Sequence, residues 1–470
     1  MLSERDAPII AIATPPGKGA VGVVRISGKG LLNFAQAVCQ QTLQPRHAHL
    51  VTLKDAHGDT LDQVLALFFP APHSYTGEDV LELQGHGGPL VLSMVVERCL
   101  GLALQGQALL PGLRQAMPGE FTQRAFLNHK LDLAQAEAVS DLIDAQTHAA
   151  VRGAGRSLVG EFSQKVDALQ ASLLRIRMLV EASLDFPEED IDFVTQADVA
   201  GQLRSLLQAL QNLSDITRQG ALLRDGMKMV IAGQPNAGKS SLLNALSGQE
   251  VAIVTPIAGT TRDVLSQAIA IQGVPVHVVD TAGLRDSDDV DEVERIGIQR
   301  AWAQVADADV VVFVQDISKH KDTTYQHAQQ ALVDQILQRK SDRSPVLHVY
   351  NKADLVDVSE LTSSQDGAIF MSATTGEGLD GLKVALMKSV GWSATHQEGV
   401  FSARARHVQA LGQAQTHVHQ ALANLGQTTV ALDLLAEELR YAQQQLSTLT
   451  GAMNADDLLG EIFSRFCIGK

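Results

Sequence analysis

Gly233-Gln-Pro-Asn-Ala-Gly238-Lys239-Ser240 stands between an apolar run, Met227 to Ala232, and a segment that opens Ser241-Leu-Leu-Asn. A strand, a glycine-rich turn and a helix in this order make a P-loop, because glycines let backbone N–H groups converge on phosphate oxygens where a helix begins. Asn236, Ala237, Gly238 and Ser241 would line that cradle, Lys239 would reach the β and γ oxygens, and the Ser240 hydroxyl would ligate Mg²⁺. Further along, Asp280-Thr281-Ala282-Gly283 ends the apolar run Val274 to Val279. A carboxylate there can hold Mg²⁺ and the Gly283 N–H can sense a γ-phosphate, although D-x-x-G by itself is common in turns. Asn351-Lys352-Ala353-Asp354 ends the run Val346 to Tyr350, and Ser372-Ala373 follows the run Ala368 to Met371. The Asp354 carboxylate can accept from guanine N1–H and N2–H₂, for which adenine offers no match. The amides of Ser372 and Ala373 can face guanine O6. Each motif closes a strand of an expected parallel sheet, the end at which such sheets bind nucleotides. GTP and GDP are the predicted ligands.

Two positions bear on hydrolysis. Gly259-Thr260-Thr261-Arg262-Asp263 lies between the P-loop and Asp280, where a switch threonine belongs, and Thr261 is the candidate second hydroxyl on Mg²⁺. The alternative is a turn or helix cap made by these Thr and Asp side chains. Leu284 follows Gly283, where Ras-type signalling GTPases carry a water-orienting Gln. Leucine cannot orient water, so hydrolysis needs another polar group. The acidic patch Asp286 to Glu294 is the nearest supply, its alternative being a solvated charged face.

The chain around these motifs has 470 residues, about three domains at ~150 residues each. Apolar residues at 45% and charged residues at 19% suit ordinary globular cores and exclude disorder by composition. Residues 1–120 mix short apolar runs with Gly and Pro, an α/β or α+β pattern. Residues 121–220 turn helical: Phe162, Val166, Leu169, Leu173, Ile176 and Val180 recur at helical spacing on one face. In 221–390 strands alternate with longer, often helical stretches, the pattern of a doubly wound parallel sheet. Residues 391–470 become helical again, with Leu435, Leu439, Ala442, Leu446 and Leu449 on one face. The expected fold class is therefore multidomain α/β plus all-α: an N-terminal α/β domain, a discontinuous helical domain, and an inserted Ras-like P-loop domain. The net charge of −16 gives no global basic field, so any RNA contact must be local. Three cysteines, Cys39, Cys99 and Cys467, are too few and too scattered for a disulfide framework or zinc cluster, which suits a reducing cytoplasm. No run approaches a membrane span, and no signal peptide is expected.

The flanks carry further blocks: Ala13-Thr-Pro-Pro-Gly17, Arg25-Ile-Ser-Gly28, Tyr75-Thr-Gly-Glu-Asp-Val-Leu-Glu-Leu-Gln-Gly-His-Gly-Gly88, Pro118-Gly-Glu-Phe-Thr122, Ala125-Phe-Leu-Asn128, Lys130-Leu-Asp-Leu-Ala-Gln-Ala-Glu137, Glu292-Val-Glu-Arg-Ile-Gly297 and the terminal Phe466-Cys-Ile-Gly-Lys470. With the nucleotide motifs they make essentially the whole chain resemble the tRNA modification GTPases of the MnmE (TrmE) family. The resemblance implies a homodimer whose subunits join an N-terminal folate-binding and dimerisation domain, a helical domain from both flanks, and an inserted G domain. It implies GTP hydrolysis stimulated by K⁺. It also implies joint action with a flavin-dependent partner, MnmG (GidA), on C5 of the wobble uridine of certain tRNAs, with 5-formyl- or methylene-tetrahydrofolate as one-carbon donor. By the same resemblance Arg25, Glu82, Lys130 and Lys470 match folate contacts. Asn236, Thr255, Ile257 and Thr260 match a K⁺ site, with Thr255 and Thr260 also beside the nucleotide. Glu294 matches the catalytic, water-positioning glutamate beside Lys239, and Cys467 matches a terminal cysteine whose role stays open.

Two other classes compete. A ribosome-assembly GTPase resembling Era would share the nucleotide motifs but end in a basic RNA-binding KH domain, whereas this C-terminal part is helical and acidic. A folate-binding regulatory module would use GTP only to toggle partner binding. His86, in Gly85-His-Gly-Gly88, has no partner cluster in the sequence and is expected to belong to a turn.

Overall fold

The computed structural model describes residues 6–104, 109–185, 197–248, 266–280, 292–342, 344–356, 367–392, 399–426, 431–451, 462–463, 466 and 469, with backbone alone at 266, 267, 280 and 292–297. Thr255, Ile257, Thr260, Thr261, Thr281, Ala282, Gly283, Cys467 and Lys470, all named above, lie outside the described residues. The chain divides into two compact units, Met1–Ser140 with Ser447–Lys470, and Asp141–Leu446.

In the first unit, strands β1 (Ile9–Ile12), β2 (Gly19–Gly28), β3 (His49–Lys54), β4 (Thr60–Phe69), β5 (Asp79–Gly87) and β6 (Arg114–Gln115) form one sheet in the order β3-β4-β5-β2-β1-β6. All neighbours are antiparallel except β1 and β6. This is the α+β alternative of the two patterns expected for the N-terminal part. The residues explain it: β3 and β4 alternate buried and exposed positions, so one sheet face is covered and the other is not. Helices α1 (Leu32–Cys39) and α2 (Pro89–Ala103) cover that face, packing Phe34, Val95 and Cys99 against Val51, Val64, Phe68 and Leu83. Burial pushes the Cys39 and Cys99 thiols up to about 12, which makes both inert packing groups. Helices α3 (Glu120–Leu127) and α4 (Leu133–Asp144) follow, and Phe463 and Phe466 from the chain end pack with Phe126, Leu133 and Ala136.

The second unit begins within the end of α4. Its helices are α5 (His148–Leu158), α6 (Glu161–Asp185) and α7 (Val199–Asp225). The residues of α6 that recur at helical spacing in the sequence are its buried apolar face. Gly226, with φ +69, turns α7 directly into strand β7 (Met227–Ala232); an added Cβ there would lie 2.5 Å from the Pro275 carbonyl oxygen. The P-loop and helix α8 (Lys239–Ser247) come next, then β8 (Ser266–Ile271), β9 (Val274–Asp280), α9 (Glu292–Ala306), β10 (Val310–Asp316), α10 (Thr323–Arg339), β11 (Val346–Asn351), β12 (Ile369–Phe370) and α11 (Leu379–Ser389). The sheet order is β12-β11-β10-β7-β9-β8, parallel throughout except for β8. All seven residues of β10 are buried, as a central strand covered on both faces requires. One core gathers under α8 and α11 and another under α9 and α10, so the sheet is doubly wound. Helices α12 (Ala405–Leu425) and α13 (Leu432–Thr450) return to the helical part, with Leu435, Leu439, Ala442, Leu446 and Leu449 fully buried. A single buried carboxylate, Asp141, ties the helical flanks to the approach to β7. It accepts from Arg224 Nε at 2.7 Å, Arg404 at 2.8 Å and the Ser402 hydroxyl at 2.7 Å. No helix among the described residues is long and apolar enough to cross a membrane.

Candidate functional site

The P-loop joins the C-terminal end of β7 to the first turn of α8, where the helix dipole favours an anion. Three of its residues have a positive φ: Gly233 at +153, Asn236 at +62 and Gly238, the residue capping α8, at +93. Gly238 is required twice over, since an added Cβ would sit 2.1 Å from the Asn351 side-chain nitrogen. Lys239 folds back over the loop, its Nζ donating to the carbonyls of Gly233 at 3.0 Å and Gln234 at 3.2 Å. Ala237 is buried, while Ser240 and Ser241 are exposed on the first turn of α8.

Asp280 ends β9 in parallel register with Ile231 of β7, one residue before the strand gives way to the loop. Its backbone therefore stands beside the P-loop entrance; its carboxylate lies outside the described side chains. Glu294 falls in the first turn of α9, again with the backbone alone described.

The segments expected to read the base follow the ends of β11 and β12. Asn351, buried at the end of β11, donates from Nδ2 to the Ala237 carbonyl at 2.9 Å, and its Oδ1 accepts from the Ala373 amide at 2.9 Å. One side chain thus staples the P-loop to the segment that follows β12. Motif spacing marked Asn351 as nucleotide-binding but carried no sign of this role. The amides expected to face guanine O6 are both engaged within the protein, Ala373 with Asn351 and Ser372 with the Glu377 carbonyl at 2.9 Å. The Ala373 N–H can serve O6 only as a donor shared between two acceptors. Asp354 lies in the short 3₁₀ turn Ala353–Leu355 with its carboxylate exposed. Lys352 adopts φ +65 and its Nζ donates to Asp316 Oδ2 at 2.6 Å. Motif spacing does not mark Asp316; its sequence signal is an acidic residue two positions past the apolar run Val310 to Val314.

A second constellation occupies the first unit. Arg25 and Glu82 face each other across β2 and β5, with Nε donating to Oε1 at 2.9 Å. The Arg25 guanidinium lies 5.7 Å from the Tyr75 ring centroid and 5.8 Å from that of Phe121, and reaches the Gly469 carbonyl at 3.4 Å. The chain end therefore comes to β2. Tyr75 bonds to the Thr122 hydroxyl at 2.8 Å, and its burial pushes the phenol up. Tyr75, Phe121 and Thr122 belong to the quoted blocks but are brought beside Arg25 only by the fold. Lys130 is exposed and donates to the Pro72 carbonyl at 3.2 Å. His86 lies in β5 and not in the turn expected for it; it is exposed, its Nδ1 lying 2.7 Å from Asp62 Oδ1.

The model of the GTP-binding protein TrmE N-terminus matches residues 8–130, and that of the MnmE helical domain matches residues 133–467. The tRNA modification GTPase MnmE of Acidovorax sp. (strain JS42) is 56% identical over 472 residues, covering 100% of both chains. This chain belongs to the MnmE family. The MnmE proteins of Paracidovorax citrulli and Polaromonas naphthalenivorans are each 55% identical, again over 100% of both chains. As an MnmE family member it is a GTP hydrolase.

Proposed function

We propose that this chain is a K⁺-stimulated GTPase that acts in the cytoplasm, as a homodimer and with the flavoprotein MnmG (GidA). Its substrate would be C5 of the wobble uridine of certain tRNAs, modified in carboxymethylaminomethyl or aminomethyl form with a tetrahydrofolate one-carbon donor. The observation that carries this reading is the Asn351 staple, which holds phosphate loop and base loop as one preformed unit in a chain matching the family end to end. The proposed organisation is an N-terminal domain (1–120), a helical domain from 121–220 and 391–470, and a G domain (221–390) inserted between them.

The donors suit the implied metals. Ser240 Oγ on an exposed helix turn and the Asp280 carboxylate at a strand end are hard oxygens of the kind Mg²⁺ takes, with Thr261 as the third. Asn236 is exposed at the outer edge of the loop, where its amide oxygen can serve K⁺ with Thr255, Ile257 and Thr260. Bound there, the two cations would offset charge developing on the phosphate oxygens. The chain's own part is to hold the β and γ oxygens with Lys239 and the loop amides and to read guanine with Asp354. Glu294 would orient the attacking water that Leu284 cannot. In the first unit, the Arg25–Glu82 pair beside Tyr75 sets a donor and an acceptor against an aromatic wall, which suits the pterin of a folate, with Lys130 and Lys470 for its carboxylates.

Steady-state GTP hydrolysis in KCl and in NaCl at matched ionic strength tests the reading, with the size of the protein followed in GDP plus aluminium fluoride. At least tenfold faster turnover in KCl, with association of the G domains, is expected. Equal rates in the two salts would remove the K⁺ site at Asn236.

A further inference from the structure

The end of β10 lies between the two halves of the nucleotide apparatus. On one side it borders the P-loop so closely that an added Cβ on Gly233 would meet the Val314 carbonyl oxygen at 2.2 Å. On the other side Asp316, its last residue, stands in parallel register with Asn351, the last residue of β11. Lys352 follows Asn351 in a left-handed conformation, which non-glycine residues adopt only when surroundings hold them there. Its ammonium reaches back to the neighbouring strand and meets Asp316 Oδ2 at 2.6 Å.

Both carboxylate oxygens and the amide of Asp316 have partners in this arrangement. Oδ1 accepts from the Ser318 amide at 3.1 Å and the Ser318 hydroxyl at 2.6 Å, capping the short 3₁₀ turn Ile317–Lys319. The Asp316 amide donates to the Tyr325 hydroxyl at 2.9 Å, which ties the strand end to α10. The Asp316 side chain is only 2% exposed, while Lys352 is 32% exposed and so keeps a face open to solvent. A carboxylate immobilised from three directions is well placed to fix the lysine that shares a motif with the base-reading Asp354. Burial alone would raise the Asp316 carboxyl, but Lys352 and Ser318 together hold it below the usual carboxylate range, so it is ionised at neutral pH.

We propose that Asp316 is a positioning residue of the guanine-nucleotide site: through its buried ion pair it holds Lys352 in the left-handed turn from which the lysine packs against the bound nucleoside. The carboxylate touches no ligand itself; it acts through Lys352. The proposal rests on Asn351–Asp354 being the base reader.

The test is a double-mutant cycle on the full-length protein, reading the Kd of a fluorescent GDP analogue for wild type, Asp316→Asn, Lys352→Ala and the double variant, with the melting midpoint of each protein alongside. Asn keeps the size and the cap to Ser318 but loses the charge. Each single variant is expected to raise Kd by about tenfold, roughly 1.4 kcal/mol, and the double variant no more than Lys352→Ala alone. A wild-type Kd for Asp316→Asn beside a weakened Lys352→Ala would overturn the positioning role. Losses that multiply in the double variant would overturn it equally. Unchanged affinity in Lys352→Ala would overturn it as well, since the lysine would then not contact the nucleoside, whereas unchanged affinity in Asp354→Ala would overturn the base-reader reading on which the proposal stands. Ser318→Ala, which loosens the carboxylate from its other side, keeps the question answerable if Asp316→Asn does not fold. A rise in Kd that Lys352→Ala again masks supports the proposal, and an unaltered Kd rejects it.

Discussion

Gly238 and Asn351 illustrate how little room single residues leave at this site. The glycine carries a backbone that L side chains rarely adopt and also lies where the Asn351 amide must pass to reach the Ala237 carbonyl. Gly238→Ala is therefore expected to strain the loop and break the staple together. GDP affinity should fall at least tenfold by titration calorimetry, and an affinity equal to wild type would mean the loop does not depend on the staple. The signals that revealed this residue and those that hid its partner differ in kind. Gly238 belongs to an eight-residue pattern with a direct chemical reason. The bond from Asn351 to Ala237 joins positions 114 apart, and no local pattern encodes it.

At the level of elements, α3 shows how a helix start is pinned by charge. Glu120 opens α3 and takes both terminal nitrogens of Arg114 on β6, at 2.7 and 2.8 Å, together with Arg124 one turn along at 2.9 Å. The Arg124 guanidinium, nearly buried, also bonds Glu78 at 3.0 Å. Removing one member of such a cluster leaves buried charge uncompensated, so Glu120→Ala should cost about 3 kcal/mol in urea unfolding. Burial works to raise the Glu120 carboxyl, but Arg114, the Met117 amide and Arg124 outweigh it and hold it below the usual range. Its contribution is therefore present above the unfolded-state pKa and lost as pH falls through the lowered folded value. The difference between wild type and Glu120→Ala should shrink as acid unfolding is approached; a pH-independent difference would contradict the ion-pair origin. Long elements of this chain were legible in the sequence: the apolar faces of α6 and α13 match the residues picked out by spacing. The two-residue strand β6 and this cluster were not, since both depend on which strands become neighbours.

For the whole molecule, the instructive feature is the return of the chain end to the unit that begins the chain. Phe463 and Phe466 complete the cluster of Phe126, Leu133 and Ala136, and the Gly469 carbonyl reaches Arg25 across 444 positions. Phe463→Ala should therefore destabilise the N-terminal unit by about 3–5 kcal/mol, seen as loss of hydrogen-exchange protection in α3 and α4. Loss confined to α12 and α13 would refute that placement. The helical flanks are joined in the second unit by an equally remote device, the Asp141 carboxylate with Arg224, Ser402 and Arg404.

The sequence by itself determined the P-loop, the strand ends at Asp280 and Asn351, the amphipathic helices and the alternation of the second unit's sheet. Each of these is written in the spacing of near neighbours, because hydrogen bonding and burial within one element repeat over a few residues. Only the tertiary structure decided the antiparallel order of the N-terminal sheet, the Asn351 staple, the Asp316–Lys352 pair and the approach of the chain end to Arg25. Those depend on which elements come to lie side by side, and a buried polar group finds its partner across whatever length of chain the packing of the cores brings near.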